Sequence, residues 1–228
     1  VSAVRTATRS VGELLVTAGL VLLLFVSYQL VWTNFEANRA QDGVSDQIRD
    51  DWQRPAASGQ TGETGEVGRL TDFGKGFAFM HIPRLGRSYS VPVVEGVALD
   101  DLAKGIGHYP KTVLPGEVGN FAVAGHRATH GEPFAYLDEV RKGDAVVVET
   151  QEEWFVYVID RTRIVQPTDT WVIAPVPGRP DAVPTERLIT LTTCNPRWAS
   201  TERLIVWGHL ESRRSKAAGR PAELRADA

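Results

Sequence analysis

The chain has 228 residues, 43% of them hydrophobic and 23% charged, with a formal net charge of -3, the balance of a globular chain long enough for one core-bearing domain plus appendages. That balance excludes nucleic acid as a partner and a polybasic hold on a membrane surface, because phosphate binding needs clustered Lys and Arg to displace counterions. Cys194 is the only cysteine, so no disulfide forms within the chain.

Residues 14–32 read Leu-Leu-Val-Thr-Ala-Gly-Leu-Val-Leu-Leu-Leu-Phe-Val-Ser-Tyr-Gln-Leu-Val-Trp, without a charge. At about 1.5 Å per residue, a helix of this length crosses a hydrocarbon core of about 30 Å. A transmembrane signal anchor is therefore predicted over residues 14–33. Tyr28 and Trp32 gather near its far end, Arg5 and Arg9 precede it, and Asp42, Asp46, Asp50 and Asp51 follow it. The positive-inside bias places residues 1–13 in the cytoplasm and the bulk of the chain outside, as a single-pass protein of the cell membrane. A cleavable signal peptide competes, but the run is long for one and residues 29–34 offer no small-x-small site. A buried core helix also competes, against a run that is apolar on every face.

Residues 35–52 are polar with scattered apolar positions and only Gly43 as a breaker, so the helix is expected to continue outward for a few turns. Residues 55–68 are rich in Gly, Ser, Thr and Glu and carry almost nothing to bury, the composition of a flexible spacer. Residues 34–76 are thus expected to be a helical stem and linker that hold a domain off the membrane. The domain is expected over residues 77–211. Residues 77–83 and 89–94 read as two strands joined by a turn, with Pro83 and Pro92 at strand ends or an edge. Short helices are expected at residues 100–105 and 132–140, and a short strand at 120–125. Residues 145–150 and 154–165 are the strongest strands. Five prolines between residues 167 and 184 make a loop, and residues 187–194 and 203–210 are the last strands. Many short strands and few helices predict an all-β barrel or sandwich. Residues 212–228 have too few apolar side chains for a core and are expected to be disordered.

Thr190-Leu191-Thr192-Thr193-Cys194 ends an apolar, β-branched run that Asn195-Pro196 breaks, so Cys194 is placed at a strand's carboxyl end, where a loop opens. Taken alone, a free cysteine is most often a small buried hydrophobe. A reactive one needs a route to its thiolate and a proton shuttle, most often a histidine. The five candidates are His81, His108, His126, His130 and His209. His126 is best placed, at the mouth of a strand, after Gly125 and before Arg127. Acyl transfer also needs a stabilised oxyanion, which a permanently charged arginine supplies. Arg203 opens the strand that returns beside Cys194, and Arg197 lies in the intervening loop; an ordinary surface ion pair is the competing role for each.

Gly107-His108-Tyr109-Pro110, residues 115–127 (Pro-Gly-Glu-Val-Gly-Asn-Phe-Ala-Val-Ala-Gly-His-Arg), residues 190–196 and Arg203 together resemble the sortases, cysteine transpeptidases of Gram-positive surfaces, and within them the class E enzymes of high-GC actinobacteria. The resemblance covers residues 77–210. It implies an eight-stranded β-barrel with inserted helices and loops, Cys194 as nucleophile, His126 as general acid/base and Arg203 as ligand of the oxyanion and substrate backbone. It also implies cleavage of a sorting signal, Leu-Ala-x-Thr-Gly or Leu-Pro-x-Thr-Gly, between Thr and Gly through a thioacyl enzyme. The implied partners are surface proteins bearing C-terminal sorting signals, a lipid II-type peptidoglycan precursor amine and the cell membrane. Tyr109 is the candidate for the pocket that favours Ala over Pro, and Thr193 is a candidate for holding the substrate backbone. No cofactor is expected. Glu149, Glu152 and Glu153 cluster in one hairpin loop but are expected to be a solvated turn and not a metal site. Among alternatives, papain-like hydrolases place Cys before His, and wall L,D-transpeptidases carry a Gly-rich cysteine motif absent here. A membrane-anchored binding module with an inert Cys194 is the remaining one.

Overall fold

The computed structural model describes residues 2–54 and 73–225; the spacer expected at residues 55–68 lies outside the described residues. Helix α1, Ser2–Gln53, is continuous, as the absence of proline before residue 55 permits. Its most apolar 18-residue window is not buried against any part of the protein. The outer half behaves differently. Ala37, Val44 and Ile48 recur on one face at helical spacing and are buried, Val44 and Ile48 against Phe79 and Val94. Trp52 meets Phe79 edge-on, with centroids 5.5 Å apart.

Eight strands follow: β1 Gly76–His81, β2 Val91–Glu95, β3 Ile106–His108, β4 Gly119–Ala124, β5 Ala145–Glu149, β6 Glu153–Val165, β7 Arg187–Asn195 and β8 Glu202–Ser215. They close in the order β1-β2-β3-β4-β7-β8-β6-β5. Closure removes every sheet edge. Pairing is antiparallel except for β2 with β3 and β4 with β7, and those two parallel contacts need crossovers. The first crossover carries the short helix α2, Leu99–Leu102; the second includes β5 and β6. Period-two alternation fills the interior with one set of side chains, among them Phe121, Val123, Tyr157, Ile159, Ile189, Leu191, Leu204 and Val206. The opposite parity on β8 places Ile205 and Trp207 under a 3-10 turn, Thr170–Ile173, of the β6–β7 loop.

Two expectations are corrected. Residues 132–140 form turns and a 3-10 segment, Leu137–Glu139, and not an α-helix. Glu132 has φ 38° and Pro133 follows it, so a right-handed first turn has no start. The end of the chain is ordered through Arg225. β8 continues to Ser215, where it pairs with Glu153, and Leu224 packs on the cluster of Val147, Trp154 and Val156. Long β6 supplies the partner that a count of apolar residues could not foresee. The stem of α1 packs on the barrel, covering Phe79 of β1 and Val94 of β2.

Truncating that packing is a direct test. Ile48 is 2% exposed, so Ile48→Ala should destabilise the barrel by about 2–4 kcal/mol, as for other buried large-to-small changes. Denaturant unfolding followed by tryptophan fluorescence measures it; an unchanged midpoint would separate the stem from the barrel's cooperative unit.

Candidate active site

The parallel β4–β7 ladder runs Gly119↔Arg187 through Ala124↔Thr192. Two residues farther along each chain come His126 and Cys194, so the pairing brings them to the same end of the barrel. Two hydrogen bonds carry the alignment past the last ladder pair: the Gly125 N–H donates to the Thr192 carbonyl at 3.1 Å, and Thr193 Oγ1 donates to the Gly125 carbonyl at 2.8 Å. A Cβ on Gly125 would lie 2.6 Å from the Phe134 ring, so only glycine lets the chain turn there beneath that core side chain. On β7, Ile189, Leu191 and Thr193 alternate with Thr190, Thr192 and Cys194. The first two point into the core, which puts Cys194 on the outer face. The thiol is free and half-buried.

His126 stacks on His130, with centroids 5.0 Å apart and planes 28° from parallel. Its Nε2 is buried and has no hydrogen-bond partner among the described residues. Burial lowers its pKa below the ordinary value and the neighbouring His130 lowers it further, since each disfavours a second positive charge. A neutral imidazole with one unoccupied nitrogen, at the same barrel end as a thiol, is equipped to take or return a proton.

Cys194 pairs with Arg203 across the β7–β8 ladder. Arg203 shares the face of Ile205 and Trp207, the outer face that also carries Cys194, and its Nη1 donates to the carbonyls of Ser200 at 3.1 Å and Glu202 at 2.7 Å. The structure thus brings Cys194, His126 and Arg203 to one rim. Arg197 has a different setting: it bonds Glu132 at 2.5 Å and lies over Tyr136 and Trp198, and the Glu132 hydrogen bond raises its pKa.

A further member of the rim is Arg127, 6% exposed. Its Nη1 donates to Asn195 Oδ1 at 2.5 Å and to the Cys194 carbonyl at 3.4 Å, and its Nη2 meets Asp138 at 3.0 Å. Asn195 Nδ2 continues to Glu202 at 2.9 Å. This chain of contacts pins the end of the cysteine strand to the histidine loop. The signal in the sequence was adjacency alone, Arg127 following His126.

Tyr109 lies on the same outer face, its hydroxyl 3.0 Å from Thr192 Oγ1, two residues before the cysteine on β7. Thr193, expected to hold the substrate backbone, is 3% exposed and donates its proton to the Gly125 carbonyl, a contact that ties the histidine loop in place. The other histidines are elsewhere. His81 meets Glu149 at 2.7 Å, His108 meets Glu95 at 2.6 Å inside the barrel, and His209 meets Asp160 at 2.9 Å. Of the carboxylates in the hairpin loop, Glu149 is bonded to His81 and Lys216, and Glu153 to Arg213. A cavity of about 660 Å³ bounded by Arg161, Arg163, Trp171, Arg179 and Trp207 includes none of the rim residues.

A closed barrel that holds a half-buried thiol, a half-buried neutral imidazole and a guanidinium at one rim has the makings of a cysteine acyl-transfer centre. Comparison with known proteins places it. Residues 80–211 match the sortase domain model, and the chain belongs to the sortase family, the family of cysteine transpeptidases. It is 39% identical over 226 residues to sortase SrtE1 of Streptomyces coelicolor, covering 96% of this chain and 61% of that protein's length. The solved sortase E of Streptomyces avermitilis is 48% identical with a TM-score of 0.62, over 68% of this chain and 99% of that one. Sortase E1 of Streptomyces coelicolor, solved with a tripeptide in its active site, is 41% identical with a TM-score of 0.62, over 67% and 98% of the two chains. The likeness to class E seen in the motifs holds across the barrel.

The environment of His126 makes a pH prediction. Above about pH 6.5 the imidazole is neutral in folded and unfolded chains alike. As pH falls, the unfolded chain takes the proton first, so stability declines between that value and the lowered folded one. NMR titration should find His126 below the ordinary histidine value. In His130→Asn it should rise without reaching that value, because burial is the larger cause. An unmoved His126 would remove the His130 contribution.

Proposed function

We propose that the chain is a membrane-anchored sortase that cleaves a Leu-Ala-x-Thr-Gly or Leu-Pro-x-Thr-Gly sorting signal and joins the substrate protein to a peptidoglycan precursor amine. The observation that carries this is the convergence of Cys194, His126 and Arg203 on one rim of a sortase barrel. Its outer face accepts an extended peptide between the β4–β7 ladder and the β6–β7 and β7–β8 loops.

The Cys194 thiolate attacks the Thr carbonyl carbon. As the C–S bond forms, the carbonyl oxygen takes up negative charge, which the Arg203 guanidinium stabilises. Collapse breaks the C–N bond, and His126 gives its proton to the departing glycine amine. A thioester remains on Cys194. The acceptor amine then attacks that carbonyl, loses a proton to His126, and expels the Cys194 thiolate as the new amide forms. The proton that His126 gives up comes from the Cys194 thiol, which passes it to the neutral imidazole as the thiolate forms. Tyr109 narrows the pocket for the second residue of the signal, and Thr193 and Arg127 hold the reacting groups in register.

The apolar part of α1 serves as the anchor, with residues 1–13 in the cytoplasm and the barrel outside. Protease added to intact protoplasts should therefore digest the barrel, and full protection would reverse the orientation.

Incubating the full chain with labelled sorting peptides and a glycine- or diaminopimelate-type amine, then following the product by mass spectrometry, tests the reaction. Cys194→Ala and His126→Ala should each remove product nearly completely, as expected of groups acting as one unit. Arg203→Ala should lose on the order of 10²–10³ in rate, and Arg197→Ala much less; the reverse order would overturn the assignment of Arg203.

Leu-Ala-x-Thr-Gly peptides should be cleaved about 10–200-fold faster than Leu-Pro-x-Thr-Gly, the discrimination a small apolar pocket provides. Tyr109→Ala should shrink that ratio. Equal kcat/KM for the two peptides would refute the Ala preference and leave the cysteine chemistry standing.

A further inference from the structure

The loop that follows His126 is hooked to α1 just beyond the apolar run. Thr129, His130, Gly131 and Glu132 hold φ angles of 60°, 53°, 76° and 38°, successive left-handed residues of which only the glycine takes that region freely. Contacts with the helix secure them. The Gly131 N–H donates to Asn34 Oδ1 at 3.1 Å, and Asn34 Nδ2 reaches Glu132 Oε1 at 3.5 Å. A Cβ on Gly131 would collide with the Gln41 amide. Glu132 in turn holds Arg197 at 2.5 Å, and Arg197 lies 5.2 Å from the ring centroids of both Tyr136 and Trp198. Those two rings are 55% and 72% exposed.

These contacts set a height along α1. Asn34 comes two residues after Trp32, about 3 Å along the axis, whereas Gln53 lies about 30 Å farther out than Trp32. The opposite flank of the barrel is level with that outer end: Lys216 and Phe79 pack on Trp52, and a cleft there is lined by Asp51, Trp52 and Glu152. The barrel therefore lies alongside the stem, with its catalytic rim toward the apolar run.

We propose that Tyr136, Arg197 and Trp198 form a seat on the lipid headgroups that sets the catalytic rim against the membrane surface. It rests on the reading of residues 14–32 as a membrane span. Tryptophan and tyrosine favour the interface because they join an apolar body to a polar edge, and a guanidinium bonds phosphate oxygens. The patch is continuous in height with the aromatic end of that run, Tyr28 and Trp32, whose rings stack 5.6 Å apart. Seated this way, Cys194 meets an acceptor amine carried on a lipid headgroup without that lipid leaving the bilayer.

The sole cysteine makes the test direct. The full chain is placed in nanodiscs of phosphatidylcholine and phosphatidylglycerol with headgroup acceptors, and a donor fluorophore is attached to Cys194. A second protein, Glu152→Cys with Cys194→Ser, carries the donor at the outer flank. With the two sites separated by a span approaching the ~30 Å of the stem, transfer from Cys194 should exceed that from the outer site by roughly fivefold, and Tyr136→Ser with Trp198→Ser should reduce the Cys194 signal. Equal transfer from the two sites, or an unchanged signal in the doubly substituted chain, overturns the seat while the chain stays resistant to carbonate extraction. Release of the chain by carbonate instead overturns the membrane span itself.

Discussion

The parallel pairing of β4 with β7 is the contact on which the rest depends. Consecutive strands of a meander pair antiparallel, and in such a pair the carboxyl end of one strand lies beside the amino end of the next. Here the residues after the carboxyl ends of both strands must meet, because His126 follows one and Cys194 ends the other. A parallel pair achieves this only through a crossover, supplied by β5, β6 and the loops around them. Once β4 and β7 are in register, antiparallel β8 delivers Arg203 opposite Cys194 with no further device.

The rim balances burial against charge. Burial and the stacked His130 both disfavour a cationic His126, so the imidazole rests neutral while permanent charge is confined to the arginines. Arg127 is buried with its guanidinium shared among Asp138, Asn195 and the Cys194 carbonyl. Its removal would leave those acceptors without a donor in a half-dry corner, a larger loss than removing an exposed ion pair. Arg203 keeps contacts to two backbone carbonyls and, among the described residues, no carboxylate partner that would compete with an oxyanion.

Helix α1 has two functions along one length. Its inner part is apolar around the whole circumference, and its outer part carries a stripe, Ala37, Val44 and Ile48, that completes the wall over β1 and β2. The same outer part clasps the left-handed residues 129–132 through Asn34. Strain in the loop behind His126 is thus held by an element continuous with the proposed anchor, which in the proposed arrangement would link the orientation of the barrel to the shape of the rim.

The apolar run at residues 14–32 and the period-two strands at 145–150, 154–165 and 187–194 were legible from sequence because each is a local pattern. The sequence also singled out Cys194, His126 and Arg203, a lone cysteine at a strand end, a Gly-His-Arg turn and a strand-opening arginine, and the structure brings the three to one rim. Three-residue β3 was not legible, being too short to show alternation. Nor was the order of residues 212–225, whose partners on β5 and β6 are some sixty residues distant. Nor was the burial of Thr193 and Arg127, because it depends on what the facing strand and loop place against them. The sequence by itself determined the strand pattern, the apolar span and the reactive residues, because periodicity and residue chemistry are local properties. Only the tertiary structure decided the parallel β4–β7 register, the packing of the stem on the barrel and the height of the catalytic rim along α1, because each arises from contacts between residues far apart in the chain.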